Sequence, residues 1–544
     1  MGREKKTPLE KRKPFPRVSL RGGLGFLSVF ILTLCLVGPP VVGLRHWVEG
    51  QVAPGTVYAP FSFTIKEQEK ETLIQQGERV VSRGDRLTAS HIACLKAIHL
   101  SNGQAKGKIR WAGAFLLALL FTALGSIYLR RYEKAVWKRP SRMFLILACM
   151  SAILGCARLL FHAPLDAPGW IPIASVAMLL GMLLSPRIGI VFGVITSILV
   201  STMFQLDLAV LSGFVTGCFA GAYAVKGIRR RIDFFRAGVV AGTAQGLAIL
   251  GSFLFLQIPS QELLTPVLGG IAGGVLSATI TFCLLPLCES LFGLVTDVTL
   301  LEMSDLNQPL LRDLSVKAPG TYHHSLIVAN LAEAACETIG ANPLLARVGC
   351  YFHDIGKMLH PEYFVENQPP PASRHDRLTP SLSSLVILNH VKDGMDLARK
   401  ARLNQAIIDF IPGHHGTGLI YYFYRRALEE VEDEALLKEE RFRYPGPKPQ
   451  TRETAVALLS DSVEAATRAL KEKTPARIQD VVRRIINNKF IDGQLEECDL
   501  TLKDLHRISE AFLRVLAGMY HQRVEYPAAP GEESQPAPER KAAG

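Results

Sequence analysis

The sequence predicts an all-α protein in which a polytopic bundle of membrane helices precedes an all-α soluble domain. Two observations support this fold class. Hydrophobic residues make up 48% of the 544 residues, and charged residues only 20%. The apolar residues are also unevenly distributed, because residues 22–293 hold nearly all the long apolar runs. A helix of about 20 apolar residues spans the hydrocarbon core of a bilayer. We therefore predict one N-terminal anchor helix and seven further spans.

The N-terminal residues predict a basic arm followed by a membrane anchor. Residues 1–21 contain eight Lys or Arg residues, two Glu and three Pro, which is typical of a disordered cytoplasmic arm. The apolar run that begins at Leu24 makes residues 22–44 long enough to cross a membrane. It contains Pro39-Pro40, and no obvious small-residue cleavage site lies nearby. We expect an uncleaved anchor rather than a signal peptide.

A short polar segment separates the anchor from the remaining apolar runs. Residues 45–108 are polar and mixed, and we predict that these 64 residues are extracytoplasmic. Within them, residues 78–98 predict a short strand, a Gly-Asp turn and a helix. Residues 109–293 then form the seven-span bundle, in which frequent glycines allow close helix packing in lipid. The runs lie near residues 111–129, 142–161, 170–185, 188–204, 208–225, 237–257 and 265–293.

The charges of the loops predict the topology. Residues 130–142 and 226–236 are strongly basic, whereas residues 162–169 and 258–263 contain no Lys or Arg. With a cytoplasmic N-terminus and eight spans, both basic loops face the cytoplasm, as the positive-inside rule requires. This predicts a multi-pass protein of the plasma membrane, in contact with lipid. The formal charge of +12 fits this topology better than a nucleic-acid polymer as partner.

The residues after the bundle predict a helical cytoplasmic domain over 294–525 and a disordered tail over 526–544. Eight of the fourteen histidines lie between residues 323 and 415, in two His-His pairs, two His-Asp pairs and two single positions. A lone histidine is usually a surface or core residue, but this clustering over separate helical segments indicates a metal site. The candidate ligands are His324, His353, Asp354, His390, His414, His415 and Asp461.

Imidazoles and carboxylates together favour first-row transition metals such as Mn, Fe or Co. Adjacent His353 and Asp354 would lie about 100° apart on a helix, so both side chains could reach one cluster from the same turn. A carboxylate can bridge two metals, which a histidine does not easily do. Asp354 is therefore the natural bridging ligand.

Five segments of the soluble part resemble a known family. They are APGTYHHSLIVANLAEAA (318–335), YFHDIGKM (351–358), NHVKDG (389–394), IPGHHGTGLIYYFY (411–424) and FRYPGPKPQTRETAVALLSDSVEAA (442–466). With them, roughly residues 111–520 resemble the 7TM-HD family, the PgpH type of cyclic di-AMP phosphodiesterase. Members of that family usually carry a much larger extracytoplasmic domain than the 64 residues of this chain, so the signal sensed outside is in doubt.

The resemblance implies an enzyme that hydrolyses cyclic di-AMP to linear pApA with two divalent ions, Mn or Fe. Asp354 would be catalytic because it would belong to both metal sites. One ion would be held by His324, His353, Asp354 and Asp461, and the other by Asp354, His390, His414 and His415. A homodimer is one option for the assembly.

Several residues are candidates for contacts with the substrate. Lys357, about one turn after His353, is the best candidate for a catalytic cation that binds a non-bridging phosphate oxygen. Arg443 and Lys448 in the Pro-rich segment are further candidate phosphate contacts. Tyr422 is a candidate for stacking on a base, with core packing as the alternative.

Three alternatives stay open at the level of the sequence. The domain could hydrolyse another nucleotide, such as cyclic di-GMP or a guanosine polyphosphate, although the GYP motif of the cyclic di-GMP type is absent. It could also be a receptor domain that only binds nucleotide, but a binding domain does not need seven metal ligands. A transporter is disfavoured because the predicted spans carry few charges.

Overall fold

The computed structural model describes most of the chain after the predicted anchor. The predicted basic arm, membrane anchor and C-terminal tail lie outside the described residues. The chain divides into two units, Met1–Val298 and Thr299–Gly544. The described residues are 49–50, 57–59, 62–67, 70–75, 78–82, 84–162, 168–204, 207–257, 263–368, 374–430 and 437–520.

The described residues between 57 and 81 contain four short strands, and the remainder of the described chain is helical in agreement with the predicted fold class. β1 (Val57–Tyr58) pairs antiparallel with β4 (Arg79–Val81), and β2 (Phe63–Glu67) pairs antiparallel with β3 (Lys70–Ile74). The sequence predicted only the strand near residue 79. Of the others, β1 has only two residues, and β2 and β3 contain Lys and Glu, which are depleted in strands. Apolar side chains on one face nevertheless pack into a small core of Ala59, Ile65, Ile74, Val80 and Cys94.

The rest of the first unit is helical and apolar. Its helices are α1 (Ala89–Tyr132), α2 (Lys134–Trp137), α3 (Pro140–His162), α4 (Ala174–Leu183), α5 (Pro186–Met203), α6 (Leu208–Ala224), α7 (Arg231–Phe255) and α8 (Leu264–Phe292). Every predicted apolar run from residue 111 onward falls on one of them. In the described part, five helices are long and apolar enough to cross a membrane, and α4 and α6 are shorter. The protein is therefore a multi-pass membrane protein, while the count of seven spans stays a prediction.

Side chains on the surface and at the contacts of these helices suit a lipid environment. Large apolar side chains such as Leu159 and Phe255 point outward, where lipid rather than water would solvate them. Inside the unit, α7 and α8 contact each other at glycines. A Cβ atom on Gly274 would collide with the backbone of Gly242. Small residues thus bring the two backbones together, as is typical of membrane helices.

The second unit is a bundle of short and medium helices joined by 3-10 turns. After α9 (Asp297–Met303), which bridges the boundary between the units, its helices follow in chain order. They are α10 (Pro309–Lys317), α11 (Pro319–Ile339), α12 (Pro343–Phe352), α13 (Pro380–Lys400), α14 (Gln405–Ile408), α15 (Phe410–Gly413), α16 (Tyr421–Glu430), α17 (Arg452–Arg468), α18 (Pro475–Ile491) and α19 (Leu502–Tyr520). The 3-10 turns include Ile355–Leu359, Pro361–Tyr363, Val365–Asn367, Arg374–Arg377 and Glu439–Phe442.

Local sequence signals define the ends of these helices. Pro319 and Pro343 begin α11 and α12, because a proline at the first helical position loses no hydrogen bond. The Asn342 side chain accepts the backbone N–H of Leu345 and so caps α12. Gly340 ends α11 in the left-handed conformation, at φ 69°. These signals define α11, which carries His324, and the start of α12, which directly precedes His353 and Asp354.

Candidate metal centre

The structure brings the seven candidate ligands together from five parts of the second unit. His324 lies on α11, His390 on α13 and Asp461 on α17. His353 and Asp354 follow α12 directly, and His414 and His415 follow α15. Two groups emerge, each with its ligand atoms within 4.8 Å of one another. One group is His324, His353, Asp354 and Asp461, and the other is Asp354, His390, His414 and His415.

The backbone at the His-Asp pair differs from the expected helix. The helix α12 ends at Phe352, and Asp354 precedes a 3-10 turn. The two side chains therefore converge through a change of backbone conformation rather than from one helical turn. Gly356 permits this path, because a Cβ atom at that position would collide with the backbone carbonyl of His390.

Asp354 lies between the two groups and directs one oxygen at each. Its Oδ2 atom is 3.2 Å from Nε2 of His353 and 3.6 Å from Nε2 of His324. Its Oδ1 atom is 3.4 Å from Nε2 of His390 and 3.5 Å from Nε2 of His414. This is the arrangement that a carboxylate bridging two ions requires.

The donor atoms fit metal ions because most of them point inward without hydrogen bonds. The Nδ1 atoms of His353, His390 and His414 donate to the carbonyl oxygens of residues 350, 387 and 410, at 2.6, 2.5 and 3.0 Å. Their Nε2 atoms therefore carry lone pairs. Among the described residues, these Nε2 atoms and that of His415 are buried without a hydrogen bond of normal geometry. Buried polar atoms are rarely left unpaired, so these inward-facing nitrogens fit the role of metal ligands.

A carboxylate that the sequence reasoning missed orients His324. Glu464 is buried, and its Oε2 atom lies 2.5 Å from Nδ1 of His324. On the other side of the ring, Nε2 lies 3.1 Å from Oδ1 of Asp461. Glu464 lies three residues after Asp461 on α17, so the two acids share a helix face. The three-residue spacing from Asp461 was the sequence signal that could have identified Glu464. In metal sites, a carboxylate commonly binds the second ring nitrogen of a ligating histidine in this way.

The electrostatics of the centre are dominated by burial and by opposite charges. Burial would raise the pKa of Asp354, but Lys357 and His353 outweigh it and hold that pKa well below its usual range. Burial lowers the pKa of His390 to about 4 and that of His415 well below its usual value. These residues are therefore a carboxylate and neutral imidazoles near neutral pH, the forms that bind metals.

His324 differs from the other imidazoles. Burial alone would lower its pKa, but the hydrogen bonds with Asp461 and Glu464 raise it to about 9. In the metal-free protein His324 is therefore protonated at neutral pH. A metal ion that binds at this side must displace that proton, which makes its affinity dependent on pH.

Lys357 lies at the centre, and a second missed carboxylate, Glu366, accompanies it. Its Nζ atom is 2.6 Å from Oδ2 of Asp354 and 2.9 Å from Oε1 of Glu366. Burial would lower its pKa, but these two carboxylates outweigh burial and raise it. Lys357 is thus a charged ammonium in contact with the candidate bridging ligand.

The other predicted substrate contacts lie in different surroundings. Arg443 forms ion pairs with Glu439 at 2.6 Å and with Asp492 at 3.1 Å. Lys448 pairs with Glu496 at 3.1 Å. The Tyr422 ring is 68% exposed. Phosphate and base contacts by these residues stay predictions.

Tyr444 contacts two of the candidate ligands, and the sequence reasoning did not select it. Its ring stacks on His415, with centroids 4.0 Å apart and planes 20° apart, and its edge faces His390. Burial raises the pKa of its hydroxyl. Its position in the quoted FRYPGPKPQ segment was the available signal.

Comparison with known proteins agrees with this architecture. The family described as 7TM receptor with intracellular HD hydrolase matches residues 109–296, and the HD domain matches residues 321–494. The protein named cyclic-di-AMP phosphodiesterase PgpH of Bacillus subtilis (strain 168) is 34% identical over 495 residues, which are 88% of this chain and 69% of that protein. The chain belongs to the 7TM-HD family. The resemblance inferred from the sequence motifs is confirmed.

Further relatives come from Listeria monocytogenes, and one HD domain among them has solved structures. The PgpH of Listeria monocytogenes serotype 1/2a (strain 10403S) is 38% identical over 477 residues, covering 84% of this chain and 64% of that protein. Solved structures of an L. monocytogenes PgpH HD domain, one in complex with cyclic-di-AMP, are 51% identical. They cover 40% of this chain and all of their own, with a TM-score of 0.38.

Proposed function

We propose that this protein is a membrane-bound phosphodiesterase that hydrolyses cyclic di-AMP to linear pApA at the centre around Asp354. The observation that carries the proposal is the division of the Asp354 carboxylate between two groups of inward-facing donors. Two relatives from different organisms bear the name of this activity. Since the chain spans about two thirds of their length, 69% and 64%, the activity of the whole protein stands as a proposal.

The seven ligands would hold two divalent transition-metal ions, Mn or Fe, in the two groups described above. Two such ions supply Lewis acidity, which activates water at neutral pH and stabilises negative charge on phosphoryl oxygens. Asp354 positions both groups with its two oxygens. His353, His390 and His414 are held in one orientation by their backbone hydrogen bonds, so the centre is organised before substrate binds.

Lys357 has a distinct role in this proposal. Its ammonium is kept charged by Asp354 and Glu366, and it is mostly buried. A charged donor at the rim of the centre can bind a non-bridging phosphate oxygen and stabilise the charge that develops there. Glu366 keeps the side chain in place for this contact.

The location of the centre follows from the loop charges. The N-terminus and residues 294–525 would lie in the cytoplasm, with residues 45–108 outside and residues 109–293 in lipid. A protease added to intact cells should leave the HD domain uncut, and cleavage within it would overturn this topology.

A substrate panel tests the activity. The full chain, purified in detergent and loaded with Mn, is incubated with cyclic di-AMP, cyclic di-GMP and a guanosine polyphosphate. We expect cyclic di-AMP to be converted to pApA and the other two to react poorly. Asp354→Asn should abolish turnover while the protein stays folded. Preference for another nucleotide would refute the substrate, and full activity in protein shown to be metal-free would refute the mechanism.

A further inference from the structure

Lys489 lies beside the metal centre and has no ion pair or hydrogen bond among the described side chains. It is a partly buried residue in the last turn of α18. Its ammonium reaches the loop after His415, because a Cβ atom on Gly418 would lie 3.5 Å from Nζ. The end of a long side chain from α18 therefore lies next to the segment that carries a candidate metal ligand.

The carboxylates near Lys489 are directed elsewhere. The Asp492 carboxylate accepts hydrogen bonds from the guanidinium of Arg443 at 3.1 Å and from the side-chain amide of Gln494 at 2.9 Å. Asp461 faces the metal centre. Burial lowers the pKa of Lys489, Asp461 and Asp492 partly offset this effect, and Arg443 adds to it. The ammonium is thus partly desolvated without a direct counter-ion among the residues that the structure describes, a position that an anionic group can occupy.

The other cations near the centre already have partners. Lys357 contacts Asp354 and Glu366, Arg443 contacts Glu439 and Asp492, and Lys448 contacts Glu496. Of these four cations, only Lys489 has no ion pair with a described residue that must be broken before it binds an anion. Lys357 contacts the bridging carboxylate itself, whereas Lys489 adjoins the loop of residues 415–418.

We propose that Lys489 binds the phosphate of the substrate that is not attacked. This proposal rests on the proposed function, because a cyclic dinucleotide contains two phosphodiester groups. When one phosphodiester group lies at the metal centre, the other group of the cyclic dinucleotide lies outside that centre. An ammonium at the rim provides a charge-assisted hydrogen bond to that second phosphate. Lys489 would then favour substrates with two phosphates over simple phosphodiesters.

Two substrates separate this role from catalysis at the centre. Full-chain Lys489→Met is assayed with cyclic di-AMP and with bis(p-nitrophenyl) phosphate, which has a single phosphate. We expect KM for cyclic di-AMP to rise about 10- to 100-fold, the value of one hydrogen bond to a charged group. Turnover of the small diester should not change, which also shows that the variant is folded. Lys489→Arg should retain most of the affinity, and Arg484→Met, an exposed cation on the same helix, should behave as wild type.

The outcomes decide between the possibilities. An unchanged KM for cyclic di-AMP, or an equal loss with both substrates, would overturn the assignment of Lys489. If the wild-type chain cleaves the small diester but not cyclic di-AMP, the proposed function fails instead. In that case, inhibition of small-diester cleavage by pApA tests whether Lys489 binds a second phosphate. Weaker inhibition of Lys489→Met than of wild type supports the second phosphate site, and equal inhibition refutes it.

Discussion

Replacement of Glu464 by glutamine should weaken one metal site and spare the other. Glu464 contacts His324, a member of only one of the two groups, and both side chains are 2% exposed. Glutamine keeps the size of the side chain and an acceptor oxygen, but it removes the negative charge. Loss of such an outer carboxylate typically weakens metal binding by about 10- to 100-fold, or about 1.4–2.7 kcal/mol. The other group, with three histidines, has no contact with Glu464.

The assay is metal content after dialysis against chelators of increasing strength. At the chelator strength at which Glu464→Gln retains about one Mn ion, wild-type protein should retain about two. Excess Mn should restore the activity of the variant. Glu333→Gln, which alters a partly exposed acid paired with Arg347, serves as the matched control. If Glu464→Gln loses both ions together, or keeps both with wild-type affinity, Glu464 does not act through His324.

Three further predictions concern the same region. Lys357→Met should lower kcat by about 100- to 1000-fold while metal content stays unchanged, since one stabilising donor is lost; simultaneous loss of metal would contradict this role. Gly356→Ala should destabilise the protein by about 1–3 kcal/mol through overpacking, measured by thermal unfolding, whereas Gly518→Ala, which has open space, should not. Metal-free protein should be most stable near pH 6.5, the unfolded-state pKa of histidine. Its stability should fall as the pH rises toward 9, because folded His324 has a pKa of about 9 and loses its proton there. Its stability should also fall as the pH decreases toward 4, because folded His390 has a pKa of about 4 and stays neutral where unfolded histidine is protonated. A flat profile in thermal unfolding would refute these pKa shifts.

The sequence was sufficient to select the seven side chains that the structure brings together. Histidine is uncommon, so His-His and His-Asp pairs stand out from the background of the chain. The partners of those residues were not predictable in the same way. Glu464 lies 140 positions from His324, and Glu366, Tyr444 and Lys489 are common residue types whose proximity to the centre depends on the fold.

The same limit applies to the predicted phosphate contacts. Arg443 and Lys448 were selected because they are cations in a distinctive Pro-rich segment. Their partners Asp492 and Glu496 lie 49 and 48 positions away, so the sequence does not reveal that these charges are already paired. In the described membrane part, apolar composition located every helix of ten or more residues, but α4 and α6 are too short for composition to establish that they span the bilayer.

The inward-facing donors also bear on the choice between a hydrolase and a domain that only binds nucleotide. A buried polar atom without a partner costs about 1–3 kcal/mol. The described part of the centre contains four such imidazole nitrogens. Oδ1 of Asp354 is also buried without a hydrogen bond, whereas Oδ2 contacts the Lys357 ammonium. A nucleotide-binding pocket has no reason to carry this cost, because its donors and acceptors can pair with each other when empty. Metal ions would remove the cost of these unpaired atoms, because each inward-facing atom would become a ligand. Metal ions would therefore stabilise the centre, and metal at this position is what a two-metal phosphodiester hydrolysis uses.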